Sequence, residues 1–141
     1  MKKLILSALM LPFAGGFSPR HPAAGANLVE IRSGEWPMNL EKESDGSGVS
    51  YALIFRDQEY TTVVILDTLP FPNLEQLKYF GKALSTLKAG NNGDIAQFKD
   101  YSIKRADKRF ESTRYILRIK WGIVDFQQPE ADIMINAIKG L

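Results

Sequence analysis

Between Thr113 and Phe126 the chain alternates so regularly that it limits what the whole sequence can fold into. Thr113, Tyr115, Leu117, Ile119, Trp121 and Ile123 fall on one side, while Arg114, Ile116, Arg118, Lys120 and Gly122 fall on the other. A period of two with this contrast predicts one long amphipathic β-strand, with an apolar face on a core and a cationic face near water. The strand is expected to end in a turn that feeds the last helix. Tyr115 and Trp121 then share the inward face with Leu117 and Ile119, as core residues rather than the lining of a ligand pocket.

The beginning of the chain has a different character. Met1-Lys2-Lys3 is cationic, Leu4 to Phe17 is apolar apart from small residues, and a polar, Pro-containing stretch ends in Ala24-Gly25-Ala26. This order is that of a secretory signal peptide, with cleavage expected after Ala26. The apolar run is shorter than the roughly 20 residues needed to span a bilayer. The expected organisation is a signal peptide over residues 1–26 and a single domain over 27–141, with no transmembrane span in the mature chain. Loss of Lys2, Lys3 and Arg20 turns a formal charge of +2 into 15 cations against 16 acids, so overall charge gives no reason to expect nucleic acid as a partner. The absence of cysteine rules out disulfides and thiolate metal sites.

Along the remaining chain, Asn27 to Arg32 predicts a short strand. Ser33 to Gly48 has turn and solvent composition and is expected to be a loop, lying back on the core through Trp36, Met38 and Leu40. Val49 to Arg56 predicts a strand, and Tyr60 to Leu69 another, paired with it in an antiparallel hairpin. The Val63-Val64-Ile65-Leu66 run, apolar on both faces, suggests a central strand or an oligomer contact. Pro70-Phe71-Pro72 stops the sheet, Asn73 is a suitable N-cap, and Leu74 to Lys88 has helical periodicity. Gly90-Asn91-Asn92-Gly93 ends that helix. Phe98 to Ala106 predicts a strand, Asp107 to Ser112 a charged turn, and Pro129 the first turn of a helix buried through Met134, Ala137, Ile138 and Leu141. The fold class expected is α+β: a mainly antiparallel sheet of about five strands with two helices packed on one face, in the order β-β-β-α-β-β-α. Both halves run strand, charged turn, strand, proline, helix, as an internal duplication would, but residue identity between them is slight and such units also recur by chance, so the order serves only for topology.

Most catalytic chemistry lacks its residues here. The sole histidine, His21, lies in the segment expected to be removed, and no Gly-rich loop precedes a helix with a following Lys-Ser/Thr. Asp45-Gly46-Ser47-Gly48 lacks the regular oxygen ligands of a calcium loop. No cofactor, metal or enzymatic activity is therefore expected. A carboxylate-dependent hydrolase around Glu41 to Asp45 is the remaining catalytic alternative.

Charge is distributed unevenly. Residues 27–75 hold three cations against nine acids, whereas residues 99–120 hold eight cations against three acids. Lys104, Arg114, Arg118 and Lys120 share the face opposite the apolar side chains and are the candidate binding residues, with Trp36 as a second candidate contact. Such cations also keep an exposed hairpin soluble and discourage edge pairing, which is the plainer account of them. The functional expectation is a small exported bacterial protein, periplasmic or secreted, acting as a non-catalytic binding or accessory domain of the cell envelope. Its partner would be an acidic protein surface or an anionic envelope component. Nucleic acid is not expected, because no aromatic residue interleaves with these cations on their face. The alternative is a structural subunit that self-associates through Val63 to Leu66 or an edge strand.

Overall fold

In the computed structural model, which describes residues 25–141, the chain runs twice through four strands and a helix. The first half comprises β1 (Gly25–Arg32), β2 (Met38–Asp45), β3 (Gly48–Arg56), β4 (Leu66–Phe71) and α1 (Leu74–Lys88). The second comprises β5 (Ile95–Gln97), β6 (Tyr101–Ala106), β7 (Arg114–Ile119), β8 (Gly122–Gln127) and α2 (Gln128–Lys139). Each set of four strands forms its own antiparallel sheet in sequential order. The fold is thus α+β, with two four-stranded sheets in place of a single sheet of about five. The signal-peptide segment lies outside the described residues except for Gly25 and Ala26, which already pair with Glu43 and Lys42 in β1.

The long strand expected over Thr113 to Phe126 is a hairpin. Ile119 pairs with Gly122 across a two-residue turn, Lys120-Trp121, and Tyr115 faces Phe126 while Leu117 faces Val124. Folding back in this register exchanges odd for even positions. Val124 and Phe126 therefore join Tyr115 and Leu117 in the core, and Trp121 is left at the tip, 70% exposed. The same phase change could be read in the sequence, because Val124 and Phe126 break the odd-numbered apolar series.

Three further boundaries differ. The Ser33 to Gly48 loop contains β2, an interior strand that buries Met38 and Leu40 between β1 and β3. Its charged tract runs out towards solvent, and only Asp45-Gly46-Ser47-Gly48 forms a turn, with Ser47 N–H donating to Asp45 Oδ1 at 2.8 Å. Val63 and Val64 belong to the β3–β4 connection and are 57% and 64% exposed, and β4 lies at a sheet edge rather than the centre. Pro70 fits that edge, where a missing N–H costs no ladder bond. Finally, Phe98 to Ala106 divides into a turn, which follows β5, and β6.

Helix α1 has the bounds expected from its periodicity. Asn73 Oδ1 accepts the Gln76 N–H at 2.9 Å, satisfying a first-turn donor that has no partner within the helix. Asn73→Ala is expected to lower stability by about 1 kcal/mol in urea denaturation. At α2, Pro129 occupies the first turn and the Gln127 N–H donates to Glu130 Oε1 at 2.8 Å. Its buried residues are Ala131, Met134, Ile135 and Ile138, whereas Leu141 is exposed. The two helices pack together at Gly81, where a Cβ would lie 3.1 Å from Ile138 Cγ2. Lys88 pairs with Asp132 across them at 2.9 Å. One continuous core joins both sheets and both helices, with Phe55, Phe71, Phe80, Leu117 and Phe126 among its fully buried side chains.

The sheets meet along β8. Ile123 N–H donates to Asp57 Oδ1, and Ile123 C=O accepts the Gln58 N–H. Asp125 N–H donates to Gln58 Oε1, and Asp125 C=O accepts from Arg32 Nη2 and Gln58 Nε2. The β8 edge is thereby closed by residues of the first half, which satisfies backbone groups that would otherwise be an open pairing template. This closure draws the β3–β4 connection across the seam and leaves Val63 and Val64 on its outer side.

Candidate binding face on the second sheet

Antiparallel pairing sets this face. Lys104 stands opposite Ile116, Ser102 opposite Arg118, and Arg114 opposite Ala106, so Lys104, Arg114 and Arg118 share the side away from buried Ile103, Tyr115 and Leu117. Lys120 continues this side into the β7–β8 turn. Arg118 and Lys120, together with Lys99 from the β5–β6 turn, border a shallow depression of about 440 Å³ that also includes Gln97, Asp100, Tyr101 and Ser102. The Tyr101 ring itself turns inward, stacking on Phe98 with ring centroids 4.5 Å apart and packing near Phe71 and Phe80, and burial raises its hydroxyl pKa well above the usual tyrosine range. Among the described residues, Lys99, Lys104, Arg118 and Lys120 form no ion pair. The Lys120 ammonium instead lies 5.0 Å from the Trp121 ring centroid.

Arg114 differs from the other three. Its guanidinium reaches Asp125 Oδ2 at 3.2 Å and Glu111 Oε1 at 3.6 Å, so its charge is compensated across β7, β8 and the preceding turn. Arg105, one residue after Lys104, faces the opposite way. Its Nη1 donates to the carbonyls of Leu87, Lys88 and Gly90 at the C-terminal end of α1, and its Nε pairs with Asp107 at 3.0 Å. The position complements the negative end of the helix dipole. The Arg105 side chain holds the Asp107 carboxyl below the usual carboxylate range.

Trp36 lies on the first half, with its ring face occupied. The Arg56 guanidinium sits 3.8 Å from its centroid while Nη1 donates to Glu35 C=O and Nη2 to Thr61 C=O. Arg56 itself is buried, and its N–H donates to Pro37 C=O. Trp36 therefore covers a buried arginine beside the β2 entry. Of the five candidates, Arg118 and Lys120 border the depression, Lys104 shares their face, Arg114 is tied into ion pairs, and Trp36 lies on the other sheet.

The sequence reading passed over Lys99, whose position in a tight turn brings it to Arg118 only once β6 and β7 have paired. It also did not single out Asp57, which falls in an expected turn, or Asp67, which falls in an expected strand, although both are drawn into the seam. Among the described residues, no group of three or more His, Cys, Asp or Glu side chains is placed to hold a metal ion. No described helix is long and apolar enough to cross a membrane. Compared with family models, curated proteins and solved structures, the chain matches none.

Proposed function

We propose that this chain is an exported, non-catalytic binding domain of the bacterial cell envelope that holds an anionic partner on the outer face of its second sheet. The observation that carries this reading is the set of exposed cations Lys99, Arg118 and Lys120 around one depression, with Lys104 on the same face, none of them in an ion pair among the described residues. An acidic protein surface or an anionic envelope component supplies the complementary charge, and Coulombic steering makes the association fast and salt-sensitive. Export rests on the Met1 to Ala26 pattern, and intact mass with cell fractionation tests it. The expected product has lost the segment up to Ala26 and leaves Asn27 to begin β1; an unprocessed cytosolic chain contradicts export.

Replacing Lys104, Arg118 and Lys120 with Gln is expected to preserve the unfolding midpoint and weaken partner retention about tenfold or more at low salt. Arg114→Gln is expected to act differently, lowering stability through loss of its contacts with Asp125 and Glu111. Retention of the partner by the triple variant, undiminished, would contradict the proposed surface.

A second reading is self-association through the β3–β4 connection, favoured by the exposure of Val63, Val64 and Leu66. Size measurement over a concentration series tests it: a mass that rises with concentration and returns to the monomer in Val63→Ser/Val64→Ser supports it, and a constant monomer mass removes it.

A further inference from the structure

Two carboxyl groups meet inside the seam between the sheets. Asp57, immediately after β3, is fully buried, and its Oδ1 accepts the Glu59 N–H at 2.9 Å and the Ile123 N–H at 3.2 Å. Its Oδ2 and the Oδ2 of Asp67 on β4 are both buried without a hydrogen-bond donor. Both oxygens converge on Gly122, the first residue of β8. A Cβ there would stand 1.9 Å from Asp67 Oδ2 and 3.0 Å from Asp57 Oδ2. Glycine is required at this position by close approach.

Two ionised carboxylates this close in a buried site repel each other, and neither Oδ2 has another donor to offset the loss of water. A single proton held between them removes one charge and gives both oxygens a partner. We propose that Asp57 and Asp67 share one proton within the first sheet and so fix Asp57 where its Oδ1 holds the Ile123 N–H of the second, a clasp at the seam closed while the proton is present and loosened when it leaves. Asp57, with two backbone N–H donors on Oδ1, is the natural carboxylate of the pair, and Asp67 is the natural acid. Burial, followed by the bond to Asp57 and the charges of Asp57 and Glu59, pushes the Asp67 carboxyl up to about 8.

The neighbouring charges leave that proton in place. Arg56, on β3 next to Asp57, directs its guanidinium to the carbonyls of Glu35 and Thr61 and to the Trp36 ring. Lys120, in the turn before Gly122, lies against Trp121. Asp125, further along β8, is paired with Arg114. Glu59, in the connection, adds negative charge and favours protonation.

The sign of the pH effect follows from linkage. In the unfolded chain Asp67 loses its proton near its ordinary value of 3.8, whereas in the folded chain it keeps it until about 8. The folded state therefore holds one more proton throughout that window, and stability falls as pH rises across it. The stabilisation is fully present below the window and lost above it.

The test uses the full-length chain. Urea unfolding between about pH 5 and about pH 8 is expected to show an unfolding constant that rises about tenfold per pH unit more steeply in the unsubstituted chain than in Asp67→Asn. Asparagine keeps the shape and supplies a fixed donor to Asp57, but it cannot titrate. Equal slopes in the two proteins would overturn the proposal. Should Asp67→Asn not fold, the Gly122 and Ile123 amide resonances of the unsubstituted chain decide the matter. A shared transition near pH 8, as the proton leaves, is expected of both; resonances that stay fixed from about pH 6 to about pH 9.5 would overturn the clasp.

Discussion

Leu117→Ala is expected to destabilise the fold by about 2 to 5 kcal/mol, read as a shift in the urea midpoint. Leu117 is fully buried at the centre of the second sheet, opposite Ile103 on β6 and Val124 on β8. Its removal leaves a cavity among side chains held by three paired strands, and these cannot close over the space without breaking register. Tyr115, two residues earlier, stacks on Phe126 with ring centroids 5.6 Å apart, and its hydroxyl donates to Gln128 Oε1. The wall of the cavity therefore has little freedom to collapse. A loss near zero would place Leu117 outside the core and remove the β7–β8 hairpin as described. The same substitution at exposed Ile95 is expected to stay within about 0.5 kcal/mol, because it creates no cavity.

Arg56→Ala carries the second large effect, an expected loss of about 2 to 4 kcal/mol. The guanidinium bridges the carbonyls of Glu35 and Thr61 while stacking under Trp36, so one side chain joins the β1–β2 turn to the β3–β4 connection. Alanine leaves both carbonyls without this donor and opens a space under the indole. Arg56→Lys separates shape from charge. A lysine keeps the charge but lacks the planar fork that reaches two acceptors and a ring face together, so it is expected to recover only part of the loss. Stability of Arg56→Lys equal to that of the unsubstituted protein would show that the bridging geometry is not what holds these connections.

Helices were the elements most legible in the sequence, and specific residues explain why. Asn73 before α1, Pro129 in the first turn of α2, and apolar spacings of three and four are local signals that act within one turn of chain. The alternation in Val49 to Arg56 likewise identified β3: of its expected inward residues, Tyr51, Leu53 and Phe55 are buried, whereas Val49, at the strand's start, is exposed. The errors fell where distant partners decide. Glu41 to Asp45 has the composition of a loop, yet β2 gains two neighbours, β1 and β3, whose ladders outweigh its weak strand preference. Val63 and Val64 have strong strand preference but lie outside the ladder, because Asp57 and Gln58 are bound to β8.

The candidate site was legible in part for the same reason. Alternation within each strand set Lys104 on β6, and Arg114 and Arg118 on β7, opposite the apolar side chains of their own strands, since facing is a property of each strand by itself. Register was needed to bring Lys99 to Arg118 and to set Asp125 against Arg114. The Asp57–Asp67 pair lay further from sight, because it depends on the β3–β4 register and on the approach of Gly122 from the other sheet, which covers both oxygens. No spacing within the sequence encodes that approach.

Partner recovery from a bacterial envelope extract at about 0.1 M salt tests the central claim most directly. It compares the unsubstituted protein with Lys104→Gln/Arg118→Gln/Lys120→Gln and with Val63→Ser/Val64→Ser. The basic face predicts loss of the partner in the first variant, retention in the second, and release of the unsubstituted protein as salt is raised. Full retention by the first variant, with loss confined to the second, would contradict it and assign the contact to the β3–β4 connection.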